Sequence, residues 1–294
     1  MPVKPSDNSN ADKELKRPIA DEANRAWLTQ LDDFDIIAVS GPDSERFLQG
    51  QLSCNMDRLS PTRTLRAALC NLKGRVVADL RVVMHDDRLL LLCSAGMADV
   101  VLGTLQKYQV FFKTELQKVS EQFVVLGLVG NEAAKALSAA GIHAPETRDA
   151  CTVARGAAVI RIEESPARFY CVLSASHGEL ASTLSSGCQS GSEQDWRIAD
   201  IRAGIAHIRP GQQDLYTPQL LNYDIDGTID FKKGCYTGQE VVARMYYRAE
   251  AKKRLAYLAL SNSQQLPEGR EIVDSVQHPD GQMHVLAIMP VPRD

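Results

Sequence analysis

Apolar positions along this chain recur with two different periods, and the switches between them predict its elements. Residues 36–39 (Ile-Ile-Ala-Val) read as a strand ending at Ser40-Gly41-Pro42. Pro42 suits a first helical turn, Asp43 and Glu45 lie at its positive end, and Phe47, Leu48 and Leu52 give it an apolar face. Strands follow at 64–71 and 75–84, joined by the turn Asn71-Leu72-Lys73-Gly74, and at 88–93 after His85-Asp86-Asp87. Helical spacing returns over 97–111 through Val100, Val101, Leu105 and Tyr108.

A second block repeats the logic. A buried strand at 124–129 leads to an alanine-rich helix at 131–140 that Gly141 can stop, then to strands at 157–163 and 168–173 and a helix at 176–184. This β-α-β-β-α order resembles a ferredoxin-like half. Residues 185–192 have linker composition, and Ser192 with Asp195 forms a capping-box-like start for a helix through about Ala203, ended by Gly204. Strand-like runs at 254–260, 271–276 and 283–289 predict a small all-β unit. The fold class is α+β, with antiparallel or mixed sheets and no βαβ alternation.

Composition narrows the function classes. At 294 residues, 44% hydrophobic and 24% charged, the chain has the profile of a soluble globular protein of two or three domains. Its net charge of −4 argues against a general nucleic-acid binder, while leaving room for a local basic patch. No apolar run approaches membrane-spanning length, so no membrane partner is expected. Residues 1–20 are polar, lack an apolar h-region and carry Asp7, Asp12 and Glu14 among their lysines; they read as a disordered tail. Seven cysteines without a C-x-x-C pair suggest neither a disulfide framework nor a metal site, which favours a reduced, cytoplasmic setting.

Nucleotide-binding glycine loops, zinc-protease helices and nucleophile elbows are absent. One stretch carries chemistry: Phe231-Lys232-Lys233-Gly234-Cys235-Tyr236-Thr237-Gly238-Gln239-Glu240. Lysine charge beside Cys235 would favour its thiolate, and Gly234 and Gly238 permit positive φ and close backbone approach. Gln239 and Glu240 add an amide and a carboxylate, and Val241-Val242-Ala243-Arg244 reads as a strand leaving the site. By spacing alone, the same residues also suit a tight structural turn around a buried cysteine. A lone His207 reads as a surface or satisfied core residue. Seven Lys/Arg against Glu240 and Glu250 make residues 232–254 locally basic, suited to an anionic ligand or partner or simply to a solvated face.

The octapeptide from Lys233 to Glu240 resembles the signature of the YgfZ-type, folate-binding relatives of the glycine-cleavage aminomethyltransferase. Pro218-Gln219-Leu220-Leu221-Asn222 is similar to the family's P-Q-x-x-N segment, residues 40–51 to its first helix, 69–92 to a shared hairpin, and Lys252-Lys253-Arg254 to its basic step. The resemblance spans roughly residues 30–260. It implies a three-part ring around a folate-holding channel, with ferredoxin-like halves and, here, a short C-terminal β-barrel. The implied division is a folate-binding-like core at 21–115 plus 193–249, a ferredoxin-like domain at 116–192 and an abbreviated barrel at 250–294.

The role it implies is that of a tetrahydrofolate-binding accessory protein supporting iron–sulfur enzymes or their assembly proteins, with Cys235 as the functional thiol. Lys233, Gly234, Tyr236, Gly238, Gln239, Glu240, Asn222 and Arg202 are the implied binding residues. Asp79 falls where the aminomethyltransferases place their catalytic aspartate, which keeps one-carbon transfer as an alternative. Cys93 stands where they use an asparagine. Arg202 stands where relatives commonly use a pteridine-gripping glutamate. Arginine only donates, so either Asp200 replaces that acid, the pterin shifts, or the chain is a binding module that has lost folate.

Overall fold

The computed structural model describes residues 26–248, 250–261 and 270–291; the tail expected at 1–20 lies outside them. The first sheet contains β2 (Phe34–Ser40), β3 (Leu65–Cys70), β4 (Val76–His85), β5 (Arg88–Ser94) and β6 (Glu115–Lys118), in the order β3-β4-β5-β2-β6 and antiparallel throughout. Helices α1 (Ser44–Gln51) and α2 (Ala98–Gln109) contribute Phe47, Leu48, Val101 and Leu105 to the core on one face of this sheet.

The second sheet contains β1 (Trp27–Gln30), β7 (Phe123–Val129), β8 (Cys151–Ala154), β9 (Ala157–Glu164), β10 (Ala167–Ser174) and β11 (Gln189–Ser190), in the order β11-β1-β7-β10-β9-β8. Its helices α3 (Ala133–Ala139) and α4 (Gly178–Ser186) pack on one face. The two sheets then bury their remaining faces against each other. In β10, Phe169, Cys171 and Leu173 face the helices, while Tyr170 and Val172 share a core with Ile36 and Ala38 of β2. In β2, Ile37 and Val39 point the opposite way, into the α1/α2 core. Strand period 2 thus gives each sheet two buried faces, which is why these strands read as continuous apolar runs. Each fully buried Ile, Leu or Phe contributes roughly 1.5–3 kcal/mol.

Helix α5 (Glu193–Arg202) starts as the capping pattern predicts: the Ser192 side chain accepts from the Asp195 amide, and Gly204 (φ +70°) follows its end. The helix packs on the third sheet, whose antiparallel strands β12 (Lys253–Leu260), β13 (Glu271–Gln277) and β14 (Met283–Pro290) run in the order β12-β14-β13. Arg197 on α5 pairs with Asp274 on β13. Among the described residues, the C-terminal unit is this three-stranded sheet, in place of the short barrel expected.

Two further expectations change, and two strands were not expected. Residues 241–244 are helical, within α6 (Gln239–Arg248). The Val-Val pair suggested a strand, but Gln, Glu, Ala, Arg and Met around it favour a helix, and Val242 is its one buried residue. The linker at 185–192 contains β11, which pairs in parallel with β1. Strand β1 itself, although N-terminal, hydrogen-bonds along β7 in the second sheet. Edge strand β6 escaped notice because Glu115-Leu116-Gln117-Lys118 is largely exposed and carries no apolar alternation.

Candidate functional site

The motif loop is held rigidly from beneath. Lys233 is buried, and its ammonium donates to the carbonyl oxygens of Gln49 (2.7 Å), Leu52 (2.6 Å) and Cys54 (2.7 Å), at and just beyond the end of α1. A helix C-terminus leaves such carbonyls without partners, and its dipole favours a cation there. Burial lowers the Lys233 pKa to about 8, so the ammonium persists at neutral pH. The sequence reading gave this charge to Cys235; the fold applies it to α1.

Gly238 has φ +83°, and a Cβ there would lie 2.3 Å from the Asn71 carbonyl oxygen in the β3–β4 turn. Only glycine permits this approach. Gly234 is different: its φ is not in the left-handed region, and a Cβ would meet nothing within 4 Å. Gln239 accepts from the Tyr236 amide at 3.2 Å, Glu240 occupies the first turn of α6, and the Tyr236 ring is buried. Of the seven cysteines only Cys235 is exposed. Burial raises the thiols of Cys54 and Cys70, each to about 12.

A cavity of about 320 Å³ lies between the first two sheets. Its walls come from β3, β4 and β5, from Ile162 and Tyr170 of the second sheet, from residues 203–207 after α5, and from the loop at 222–228. Asp79 and Asn222 line it; none of the residues from Lys233 to Glu240 does, and neither does Arg202. Asn222 sits at φ +64° and is tied to the third sheet through its amide, which donates to the Leu255 carbonyl at 2.9 Å. The Arg202 guanidinium instead approaches His284 of β14 at 3.4 Å. Burial, followed by the Arg202 charge, pulls the His284 pKa down to about 4.

A chain of charges backs the cavity. Asp79 Oδ2 lies 2.8 Å from His207 Nδ1, and Asp79 Oδ1 accepts the Ile208 amide at 2.6 Å. The other ring nitrogen of His207 faces Asp200 at 3.7 Å. Asp200 accepts from Arg168 at 2.8 Å, and Arg168 also pairs with Glu163 at 2.7 Å. Asp200 is therefore committed to Arg168 and His207 and does not enter the cavity wall as a replacement acid. Also on the cavity wall, Arg66 and Arg81 both pair with Asp149, and Arg66 also pairs with Asp226. Arg148 lines the cavity beside them without an ion-pair partner among the described residues. Burial and then the Arg66 charge lower its pKa. Sequence reasoning missed His207, Arg66 and Arg81 as site residues, since nothing local marks residues whose partners lie 68 to 160 positions away.

Burial opposes a charge on His207, but Asp79 and Asp200 outweigh it and lift its pKa to about 10. An unfolded histidine titrates near pH 6.5, so the stabilisation is complete below about 6.5 and is lost as pH rises through about 10. In urea unfolding between those pH values, the wild type should lose a few kcal/mol relative to His207→Gln. A constant difference between the two proteins across that range would mean that His207 is neutral in the fold.

A family model described as the GCVT N-terminal domain matches residues 5–168. The glycine cleavage system aminomethyltransferase T from Bartonella henselae shares the fold, with a TM-score of 0.73 at 18% identity over 91% of this chain and 79% of that one. Fold and cavity thus define a GCVT-domain protein of aminomethyltransferase-like architecture. The tRNA-modifying protein YgfZ of Klebsiella pneumoniae (strain 342) is 31% identical over 278 residues, covering 89% of this chain and 84% of that protein. Its counterpart in Escherichia coli O157:H7 (strain EC4115 / EHEC) is 30% identical over 93% of this chain and 88% of its own length. The chain belongs to the YgfZ family.

Proposed function

We propose that this chain is a tetrahydrofolate-binding accessory protein that supports the assembly or repair of iron–sulfur enzymes, with Cys235 as its working thiol. The observation that carries this reading is a separation of parts: the cavity holds no motif residue, while the motif presents the one exposed cysteine on a loop braced by Lys233 and Gly238. A small molecule in the cavity and a macromolecular partner at the thiol can then be engaged at once. The tRNA modification for which the YgfZ relatives are named is a natural client activity to assay.

The cavity residues fit a folate. Phe34, Leu92, Ile162 and Tyr170 offer apolar and ring surfaces to a flat heterocycle, and about 320 Å³ is within the range of small-molecule sites. Arg148, without an ion-pair partner among the described residues, suits the carboxylates of a glutamate tail. Bound folate would supply a one-carbon or reducing ligand; the chain's own residues orient it and shield it from water. Both Asp79 oxygens are engaged, by His207 and by the Ile208 amide, which weakens the alternative of transferase chemistry. A free carboxylate would be needed to move a proton to or from the folate amine.

The test is an anaerobic calorimetric titration with tetrahydrofolate under reducing conditions, paired with an assay for methylene transfer from an aminomethyl donor. We expect saturable binding at micromolar affinity or better and no turnover. Absence of binding would remove folate from the reading, and turnover would restore the transferase.

A further inference from the structure

The motif loop and α6 build a surface that the folate reading leaves unused. Phe231 and Tyr246 stack face to face with ring centroids 3.9 Å apart, and Tyr247 meets both edge-on, at 6.0 Å and 5.0 Å. Tyr247 is 67% exposed and Tyr246 42% exposed. Aromatic side chains of this size are normally buried for their large apolar area. Here two of them stand on a helix that buries only Val242.

Cations frame this platform. Within 232–254, Lys233 is buried under the loop and Arg254 pairs with Asp224 at 2.8 Å. The remaining Lys232, Arg244, Arg248, Lys252 and Lys253 are exposed, and no ion pair joins any of them among the described residues. Arg244, Tyr247 and Arg248 stand at i, i+3 and i+4, so helical geometry places them on one face. Lys252 and Lys253 follow Arg248 by at most five residues, within about 18 Å along the chain. The overall charge of −4 does not oppose this arrangement, because at physiological salt charges beyond about 8 Å are largely screened.

We propose that this face binds single-stranded RNA, with bases stacking on Tyr247 and Tyr246 and phosphates held by Arg244, Arg248 and the neighbouring lysines. Exposed rings flanked by unpaired Lys and Arg are what a single strand requires: π-faces for its bases and point charges for its backbone. A protein-docking face enriches Tyr and Arg too, but it is depleted of Lys, and three of the five free cations here are lysines. The proposal rests on this surface alone and is independent of folate binding in the cavity.

Fluorescence polarisation with a labelled 12-nucleotide oligouridine at several salt concentrations tests it, using the full chain. The wild type should bind, with affinity falling as salt rises. Tyr247→Ser, at an exposed position that keeps the melting temperature, should weaken binding about ten-fold through lost stacking. Arg244→Gln/Arg248→Gln should lower the slope of log affinity against log salt by roughly 1.4, as two lost phosphate contacts require. A blunt-ended RNA duplex, whose bases cannot reach the rings, should bind more weakly and be insensitive to Tyr247→Ser. The proposal falls if the oligonucleotide does not bind at low salt, or if the folded variants bind it as the wild type does. It also falls if those variants lose support of iron–sulfur enzymes without any change in RNA binding, since the face would then dock a protein.

Discussion

Replacing Arg168 by methionine lowers the stability of this protein by about 3–5 kcal/mol. Arg168 is fully buried, bridges Asp200 and Glu163, and lies over the Trp196 ring with its guanidinium carbon 5.0 Å from the centroid. The two acids differ in what they lose. Glu163 is partly exposed and can turn to water, whereas the Asp200 side chain is 7% exposed and would keep only His207, at 3.7 Å. The cost is therefore that of a buried carboxylate left nearly alone, more than that of the missing arginine. Because His207 also holds Asp79, the change propagates to the cavity wall. Urea unfolding measures the loss, and a value under about 1 kcal/mol would contradict the account. Arg168→Met/Asp200→Asn should lose less than the sum of the two single changes, since it removes the stranded charge together with its partner.

Cys235→Ala should behave in the opposite manner: stability unchanged within about 0.5 kcal/mol, function abolished. Cys235 is exposed, and the loop's shape is set by Lys233 beneath it and by Gly238 against Asn71, so the thiol contributes nothing to the packing. Under the proposed function it is the group presented to the partner. In a strain lacking the gene, wild type should restore iron–sulfur enzyme activities and Cys235→Ala should leave them at the level of the empty vector. Serine should fail too, because it keeps size and polarity but not thiolate chemistry. Restoration by the alanine variant equal to wild type would end the thiol hypothesis, and the motif would then be a structural brace for α1. Arg168 thus belongs to the scaffold and Cys235 to the proposed chemistry.

Much of the architecture was legible in the chain itself. Periodicity placed β4, β5, β10 and both helices of the second sheet within a residue or two of their bounds, and Ser192 with Asp195 located the start of α5. These signals work because caps, turns and alternating faces are encoded by residues within four positions of one another. The octapeptide located the exposed cysteine, and glycine's freedom at 238 proved necessary. Where local signals conflicted, as with two valines inside an otherwise helix-favouring run, the Val-Val pair misled and the propensity of the residues around it prevailed.

What tertiary structure alone decided is the destination of each charge. Lys233 stands two residues from Cys235, yet its ammonium caps carbonyls 179 to 184 positions away. Asp79 meets His207 across 128 residues, and Asp200 meets Arg168 across 32, which makes a histidine that its neighbours in sequence mark only as a surface or core residue part of the cavity wall. Arg202 turns to His284 on the third sheet, so a residue that seemed to bar folate lies outside the cavity altogether. A charged side chain must find its partner wherever burial strips its water, and the docking of distant elements, not the neighbouring sequence, brings that partner within reach.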